Sequence, residues 1–164
     1  MAWVGSTVTA QVLELLSAPQ GLNACVSTLA LAENVTLPAL GPSQLLAQNV
    51  SIELAERSTD VKYPSVSVYC EKIANQLKEK FRNFSGYAEM AIEVRVSQDR
   101  VDGIESQIQM YLDAVTQVLD QNRGDWGEGL YYAGGYEAAF GPVKHGGQNF
   151  IQIGKVTFNV GVSD

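Results

Sequence analysis

The segment 99–123 constrains the fold more than any other part of this sequence, because it repeats apolar side chains at helical spacing. Its apolar stripe consists of Ile104, Ile108, Tyr111, Leu112, Val115 and Leu119. Asp99 is the predicted N-cap, Asp102 lies in the predicted first turn, and Gly124 follows as a stop signal. A helix over residues 101–122 is about 33 Å long at 1.5 Å per residue. Since it has a single apolar stripe, it needs a sheet face to pack against.

Three segments between residues 50 and 96 alternate apolar and polar side chains with a period of two, which predicts three half-buried strands. The alternating apolar residues are Val50, Ile52 and Leu54 in the first, Val66, Val68 and Cys70 in the second, and Met90, Ile92, Val94 and Val96 in the third. Two further strands are predicted after the long helix, within 130–140 and over 150–162. In the last one the apolar parity switches near Gly154. We expect either a β-bulge there or coverage of both faces, by the core and by a neighbouring subunit.

The N-terminal third predicts two helices and a loop. Ser6 is a candidate N-cap for a first amphipathic helix that ends before Pro19, and residues 22–33 have the spacing of a second, shorter helix. The order of elements predicts one α+β domain over residues 1–164. We expect a mostly antiparallel sheet of about five strands, with the long helix and the N-terminal helix packed on one face. Three long loops, at 34–49, 71–85 and 141–149, exceed what connection requires and are expected to bind something.

The charge balance disfavours functions that depend on a cationic surface. The chain has 18 acidic and 11 basic side chains and a formal net charge of -7, which weakens binding to nucleic-acid phosphates or to anionic lipid. There is no basic residue near the N-terminus and no apolar run of the length that a membrane span needs. We therefore expect a soluble protein without an export signal. Four of the basic side chains crowd into one short segment: Lys72, Lys78, Lys80 and Arg82. That segment is either a contact arm or a solvated helix or hairpin between strands.

Motifs for catalysis, metal binding and cofactor binding are absent from the sequence. Cys25 and Cys70 have no CxxC spacing, which favours two reduced, half-buried thiols. His145 is the only histidine, and its glycine and lysine neighbours predict an exposed turn. No nucleophile elbow, zinc-protease, P-loop or dinucleotide-binding motif occurs. We expect no enzyme activity, no metal and no cofactor.

One segment pairs carboxylates with aromatic rings. Asp125 and Glu128 lie beside Trp126, Tyr131 and Tyr132. Such a group could stack a sugar ring or perform glycoside chemistry. The alternative is that the acids are solvated turn residues and the aromatics enter the core or a subunit contact. A carbohydrate-binding or glycoside-processing module is therefore an alternative from a different functional class.

The order of elements resembles the tail terminator (tail completion) proteins of long-tailed bacteriophages. The resemblance rests on the first helix, the strands near 50–55 and 63–70, the strand ending at Val96, the long helix, and two C-terminal strands separated by a glycine-rich loop. It implies a homohexameric ring that caps the tail tube, ends its polymerisation and joins it to the head-side neck or connector protein. DNA then passes through the lumen without sequence-specific binding. The implied location is the head-proximal end of the virion's tail, after assembly in the host cytoplasm. A neck protein and a tail tube protein are alternatives of the same class.

The ring that the resemblance implies is compatible with the charge and the strand pattern. Six copies at -7 give about -42, and a negative wall lets DNA slide. Outer strands of adjacent subunits can satisfy each other's edges. The residues that we expect at a subunit or tube interface are Lys72, Lys78, Lys80, Arg82, Trp126, Tyr131, Tyr132, Tyr136, Phe150, Ile151 and Ile153.

Overall fold

The computed structural model describes residues 3–57 and 61–164. These residues form an α+β fold, as predicted, with a curled mixed sheet of eight strands where about five were expected. The helices are α1 (Val4–Ser17), α2 (Leu22–Ala32), α3 (Ile52–Glu56) and α4 (Ile104–Gln121). The strands are β1 (Leu45–Leu46), β2 (Ser65–Asn75), β3 (Ser85–Gln98), β4 (Gly124–Gly127), β5 (Leu130–Tyr132), β6 (Glu137–Phe140), β7 (Lys144–Gly146) and β8 (Asn149–Ser163).

The sheet is built around the two longest strands. β3 and β8 pair antiparallel without interruption, from Ser85 opposite Ser163 to Gln98 opposite Phe150. β2 pairs with the other side of β3, and the two-residue β1 runs parallel to β2. Along its second side β8 pairs in turn with β7, β6 and β5, and β5 pairs with β4. The additional strands are thus short segments, β1 beside β2 and the others beyond the far side of β8, and they are too short to show a period of two.

Helix α4 packs on the sheet through the predicted stripe. All six stripe residues are buried, together with Ala114 and Val118. The helix begins later than predicted: Gly103 precedes it in a left-handed backbone conformation (φ 84°), so the predicted cap at Asp99 is wrong. A glycine adopts this conformation without steric cost, and the chain turns there into an 18-residue helix of about 27 Å. Similarly, α1 begins at Val4, which places Ser6 inside the first turn and not at the N-cap.

The predicted strand over 50–55 is wrong. Residues Ile52–Glu56 form helix α3 instead, and the edge strand of this region is the earlier Leu45–Leu46. Ser51 has the extended backbone of an N-cap residue, and Glu53 lies in the first turn, where a carboxylate is favoured by the helix dipole. These local signals outweigh an alternation that extends over only five residues.

The single strand predicted within 130–140 is divided in two, so that prediction is also wrong. β5 ends at Tyr132, and Gly134 and Gly135 both have positive φ and turn the chain. Beyond that turn, every residue of β6 is exposed, whereas Leu130 and Tyr132 are buried. Two of the predicted loops are shorter than expected, since β2 continues to Asn75 and β7 lies within 141–149.

The loop over 34–49 is tied to the helices at two points. The Asn23 side chain donates to the Leu40 carbonyl and accepts from the Leu40 N–H, both at 2.8 Å. The Tyr111 hydroxyl donates to the Pro38 carbonyl at 2.7 Å, and burial raises the pKa of Tyr111 to about 12. The loop is therefore anchored to α2 and α4 at Leu40 and Pro38, and Leu40 is buried in the core.

Strand β8 contains no bulge at Gly154, so the first of the two alternatives expected there, a β-bulge, is wrong. Its register with β3 is continuous, and Gly154 lies on the core face under α4. A Cβ at this position would lie 2.6 Å from Leu112 Cδ1. The apparent parity switch arises because the close approach of α4 leaves no room for a side chain here. Ile151 and Ile153 lie on the opposite face of the sheet, beside Phe140 and Pro142.

Gly154→Ala should lower the free energy of unfolding by about 1–2 kcal/mol, because the new methyl group overpacks the contact with α4. The Leu112 side chain can move, which limits the cost. Urea denaturation measures the change. Gly161→Ala on the same strand is the control, since its Cβ would meet the Tyr131 carbonyl oxygen at an ordinary 3.4 Å. Equal losses for the two variants would contradict this account.

Candidate functional site

The sheet has open edges at both of its borders. β2 pairs with β1 only at Val66 and Ser67, and its residues 68–75 pair on one side only, with β3. At the other border, β6 pairs only with β8. Unpaired backbone groups at sheet edges are competent to pair with another chain. Within the part of the chain that the structure describes, two different edges are thus available to a partner.

A shallow groove of about 490 Å³ runs beside the open edge of β2. Small residues of α1 form one side, among them Gly5, Thr9 and Ala10, and Ala47 lies on the other side. The pocket floor includes Cys70 of β2. Short side chains along this border leave the backbone of β2 accessible, so that an extended segment could lie alongside it.

Beyond β2 the chain forms a hairpin loop, residues 76–84, which we call the arm. It contains three of the predicted interface residues, Lys78, Lys80 and Arg82, all exposed; the fourth, Lys72, lies on β2 opposite Glu89. The sequence left open whether this basic segment is a contact arm or a solvated helix or hairpin between strands. In the structure it is a hairpin between β2 and β3. A contact role for the arm is still a prediction.

The arm exposes apolar side chains together with its cations. Phe81 is 103% exposed and Leu77 is 65% exposed. Both residues have positive φ, at 67° and 47°, which is uncommon for non-glycine residues and costs energy. Exposed apolar groups in a strained backbone are typical of a binding loop.

Several hydrogen bonds hold the base of the arm. The Asn75 side-chain oxygen accepts from the N–H groups of Leu77 and Ser85, at 3.2 and 3.1 Å. The backbone of Asp164 bonds to Asn83 at 2.7 Å and to Phe84 at 2.8 and 3.0 Å. The arm is therefore attached to the end of β8 and not only to its own strands. This attachment fixes the position at which the arm projects from the sheet.

The predicted aromatic interface residues divide between core and surface. Tyr132 is fully buried, and its ring centroid lies 5.5 Å from those of Trp126 and Phe158. Trp126 is half-buried and donates its indole N–H to the Asn122 carbonyl at 2.7 Å. Burial raises the pKa of Tyr132 to about 12. Tyr132 belongs to the core of its own chain, which places it out of reach of a partner.

Tyr131 and Tyr136 remain at the surface, 55% and 39% exposed. The Tyr136 hydroxyl is 3.5 Å from Asp120 Oδ2, and Asp120 also pairs with Arg123. The register places Tyr131 opposite Gly161, near the end of β8 that holds the arm. Tyr131 and the arm therefore lie toward the same end of the sheet, whereas Tyr136 precedes Glu137, which lies opposite Thr157 near the middle of β8.

The remaining candidates, Phe150, Ile151 and Ile153, lie at the other end of β8. Phe150 is half-buried and meets His145 edge-on, with ring centroids 5.5 Å apart. Ile151 is buried, and Ile153 is half-buried in a groove with Phe140. His145 is exposed on β7, in place of the predicted turn. The eleven candidate residues are thus distributed over both ends of the sheet and do not form one site.

A buried polar cluster on the outer face of the sheet was missed by the sequence patterns. The Arg95 side chain is 4% exposed and lies 2.7 Å from Glu93 Oε1; it also donates to the Val50 carbonyl. The Tyr69 hydroxyl donates to Glu93 Oε2 at 3.1 Å. Burial, then the Glu93 charge, raises the pKa of Tyr69. Alternation predicted that these side chains face solvent. Instead, they hold the segment around residue 50 over the outer face.

Residues 3–57 and 61–164 contain no group of three or more His, Cys, Asp or Glu side chains that could hold a metal ion. Cys25 and Cys70 are free thiols, and burial raises the pKa of each. None of the described helices alone is long and apolar enough to cross a bilayer. The pair α1 and α2 meets the length and composition criteria together, with a bend of 42° between them.

Comparisons with known proteins do not assign this chain to a family. No protein-family model matches the chain, and no curated protein is significantly similar to it.

Proposed function

We propose that this protein is a structural assembly protein, a phage tail terminator that forms a homohexameric ring on the tail tube. The ring ends tube polymerisation and joins the tube to the head-side neck or connector protein, while DNA passes through its lumen. The observation that carries the proposal is the pair of different open edges, residues 68–75 of β2 and strand β6. A cyclic ring needs two unlike surfaces on each subunit, one for each neighbour.

The distribution of charge also supports contacts between unlike surfaces. The arm has three cations and one carboxylate, whereas residues 99–137 contain eight acidic and two basic side chains. In a chain with a net charge of -7, this separation gives each copy a basic projection and an acidic stretch of chain over residues 99–137. Opposite charges on two surfaces steer association and set its orientation.

The carbohydrate alternative has less support from the geometry of its candidate residues. The Trp126 indole N–H is used within the chain, and Tyr132 is buried. Asp125 accepts a hydrogen bond from the Gly127 N–H at 2.8 Å, as a turn residue does. Neck and tail tube roles are alternatives of the same class, because they too require assembly through exposed edges.

The ring predicts a solution mass of about 106 kDa, six times the 17.7 kDa of the chain. Light scattering with native mass spectrometry measures this mass.

Ile73→Lys should reduce assembly, because a lysine on the open edge of β2 opposes strand pairing. Val101→Lys is the matched control, since Val101 is 51% exposed and Ile73 47%.

Electron micrographs of tails made without the protein test the proposed function. Abnormally long or unfinished tubes are expected, and normal tails would refute termination.

A further inference from the structure

The arm and an acidic groove on the outer face of the sheet are complementary in charge and chemistry. Lys78 and Lys80 have no partner carboxylate within the described part of the chain, and Arg82 has only an exposed pair with Glu79, at 3.4 Å. Phe81 lies between the cations and contributes a fully exposed ring. A partner for this loop therefore needs carboxylates around a surface on which an aromatic ring can pack.

The groove has both properties. It has a volume of about 410 Å³, and its walls include Glu89, Tyr136 and Glu137. Gly134 and Gly135 also line it, so two of its lining residues have no side chain. Among the described residues, no lysine or arginine lines this groove. Tyr136 offers a ring for an aromatic contact, since it is 39% exposed.

We propose that the arm of one copy docks in the Glu89–Tyr136–Glu137 groove of the next copy, an inference that rests on the proposed ring. Phe81 packs against Tyr136, and Lys78 and Lys80 pair with the two carboxylates. No lining residue of the groove belongs to the arm, so the contact joins unlike surfaces. Repetition of such a contact closes a ring or extends a filament. Docking would also exclude water from Phe81, which explains why a strained loop exposes it.

Charge exchange tests this pairing. The arm variant combines Lys78→Glu and Lys80→Glu. The groove variant combines Glu137→Lys with Glu89→Gln, because Glu89 lies opposite Lys72 and a second lysine there would repel it. Each variant alone should raise the dissociation constant of self-association at least about 30-fold, since like charges then face each other. A chain with all four substitutions should regain part of the wild-type association, because Glu137→Lys restores one of the two ion pairs and Glu89→Gln removes the second repulsion. Phe81→Ser should weaken association about tenfold or more.

The control is Lys62→Glu with Arg100→Glu, which reverses two exposed cations outside both surfaces. Sedimentation velocity over a concentration series gives the constants, and circular dichroism verifies that each variant is folded. Assembly that is insensitive to the arm and groove variants, or no recovery in the fourfold variant, would overturn the docking and leave the ring intact. A wild-type chain that remains a monomer of 17.7 kDa would also overturn the docking. The proposed ring on the tail tube is tested separately, by the length of tails made in cells. Arm-dependent binding to phosphatidylserine vesicles or to DNA, without self-association, would assign the arm to another partner.

Discussion

Arg95→Ala is expected to lower the free energy of unfolding by about 3–5 kcal/mol, the cost of breaking a buried ion pair. The Arg95 side chain is 4% exposed and the Glu93 side chain 14%. Removal of the guanidinium leaves the Glu93 carboxylate largely shielded from water, with the Tyr69 hydroxyl as its remaining described donor. The Val50 carbonyl also loses its donor. Urea denaturation followed by circular dichroism measures the loss.

Two further variants separate the ion pair from simple packing. Arg95→Met combined with Glu93→Leu should recover most of the stability, because apolar replacement of both partners leaves no unpaired charge. Tyr69→Phe removes one hydrogen bond and should cost about 1 kcal/mol. If Arg95→Ala costs no more than Tyr69→Phe, the cluster does not hold the outer face as described.

Gly86→Ala is expected to destabilise the protein by about 3 kcal/mol or more, because the strands have no room for a methyl group at this point. A Cβ on Gly86 would lie 1.8 Å from the Ala74 carbonyl oxygen. This oxygen belongs to the backbone and cannot rotate away, unlike the Leu112 side chain above Gly154. β2 and β3 must therefore separate at the base of the arm, where Gly86 lies opposite Asn75.

The location of the damage is a second, independent readout. Hydrogen exchange should show the largest loss of protection in β2, β3 and the arm. Gly161→Ala is again the control, because it lies opposite Tyr87 on β8 with ordinary contact distances. Unchanged stability and unchanged exchange in Gly86→Ala would show that the strands lie farther apart here than the structure has them.

Periodicity was sufficient for the longer elements. The stripe of α4, the two N-terminal helices and the alternation in β2, β3 and β8 were all predicted, because each extends over enough residues to show its period. It failed over 50–55, where six residues fit either a strand or a turn of helix. It also failed at Gly154, since the absent side chain reflects how closely α4 approaches the sheet. That distance depends on tertiary packing and leaves no local pattern.

The candidate surfaces were predictable only in part. The cluster of basic residues at 72–82 identified the arm, because charge density is visible in sequence. The burial of Tyr132 could not be predicted, because Tyr131 and Tyr132 are the same residue type. They differ only in the face of the sheet on which each side chain lies. Nor could alternation show that Glu93 and Arg95 are covered by a segment some forty residues earlier. The only local signal for this ion pair is that a glutamate and an arginine lie two positions apart in the sequence.

The dependence of the sheet on β8 has a consequence for synthesis on the ribosome. β8 follows every other strand in the chain, yet β3, β5, β6 and β7 all pair with it. Until β8 emerges, the edge of β3 that pairs with it has no partner strand. At about 5–20 residues per second, the nascent chain passes through seconds in which this unpaired edge is open to aggregation. Polypeptides released before residue 149 should therefore depend on chaperones and be degraded rapidly.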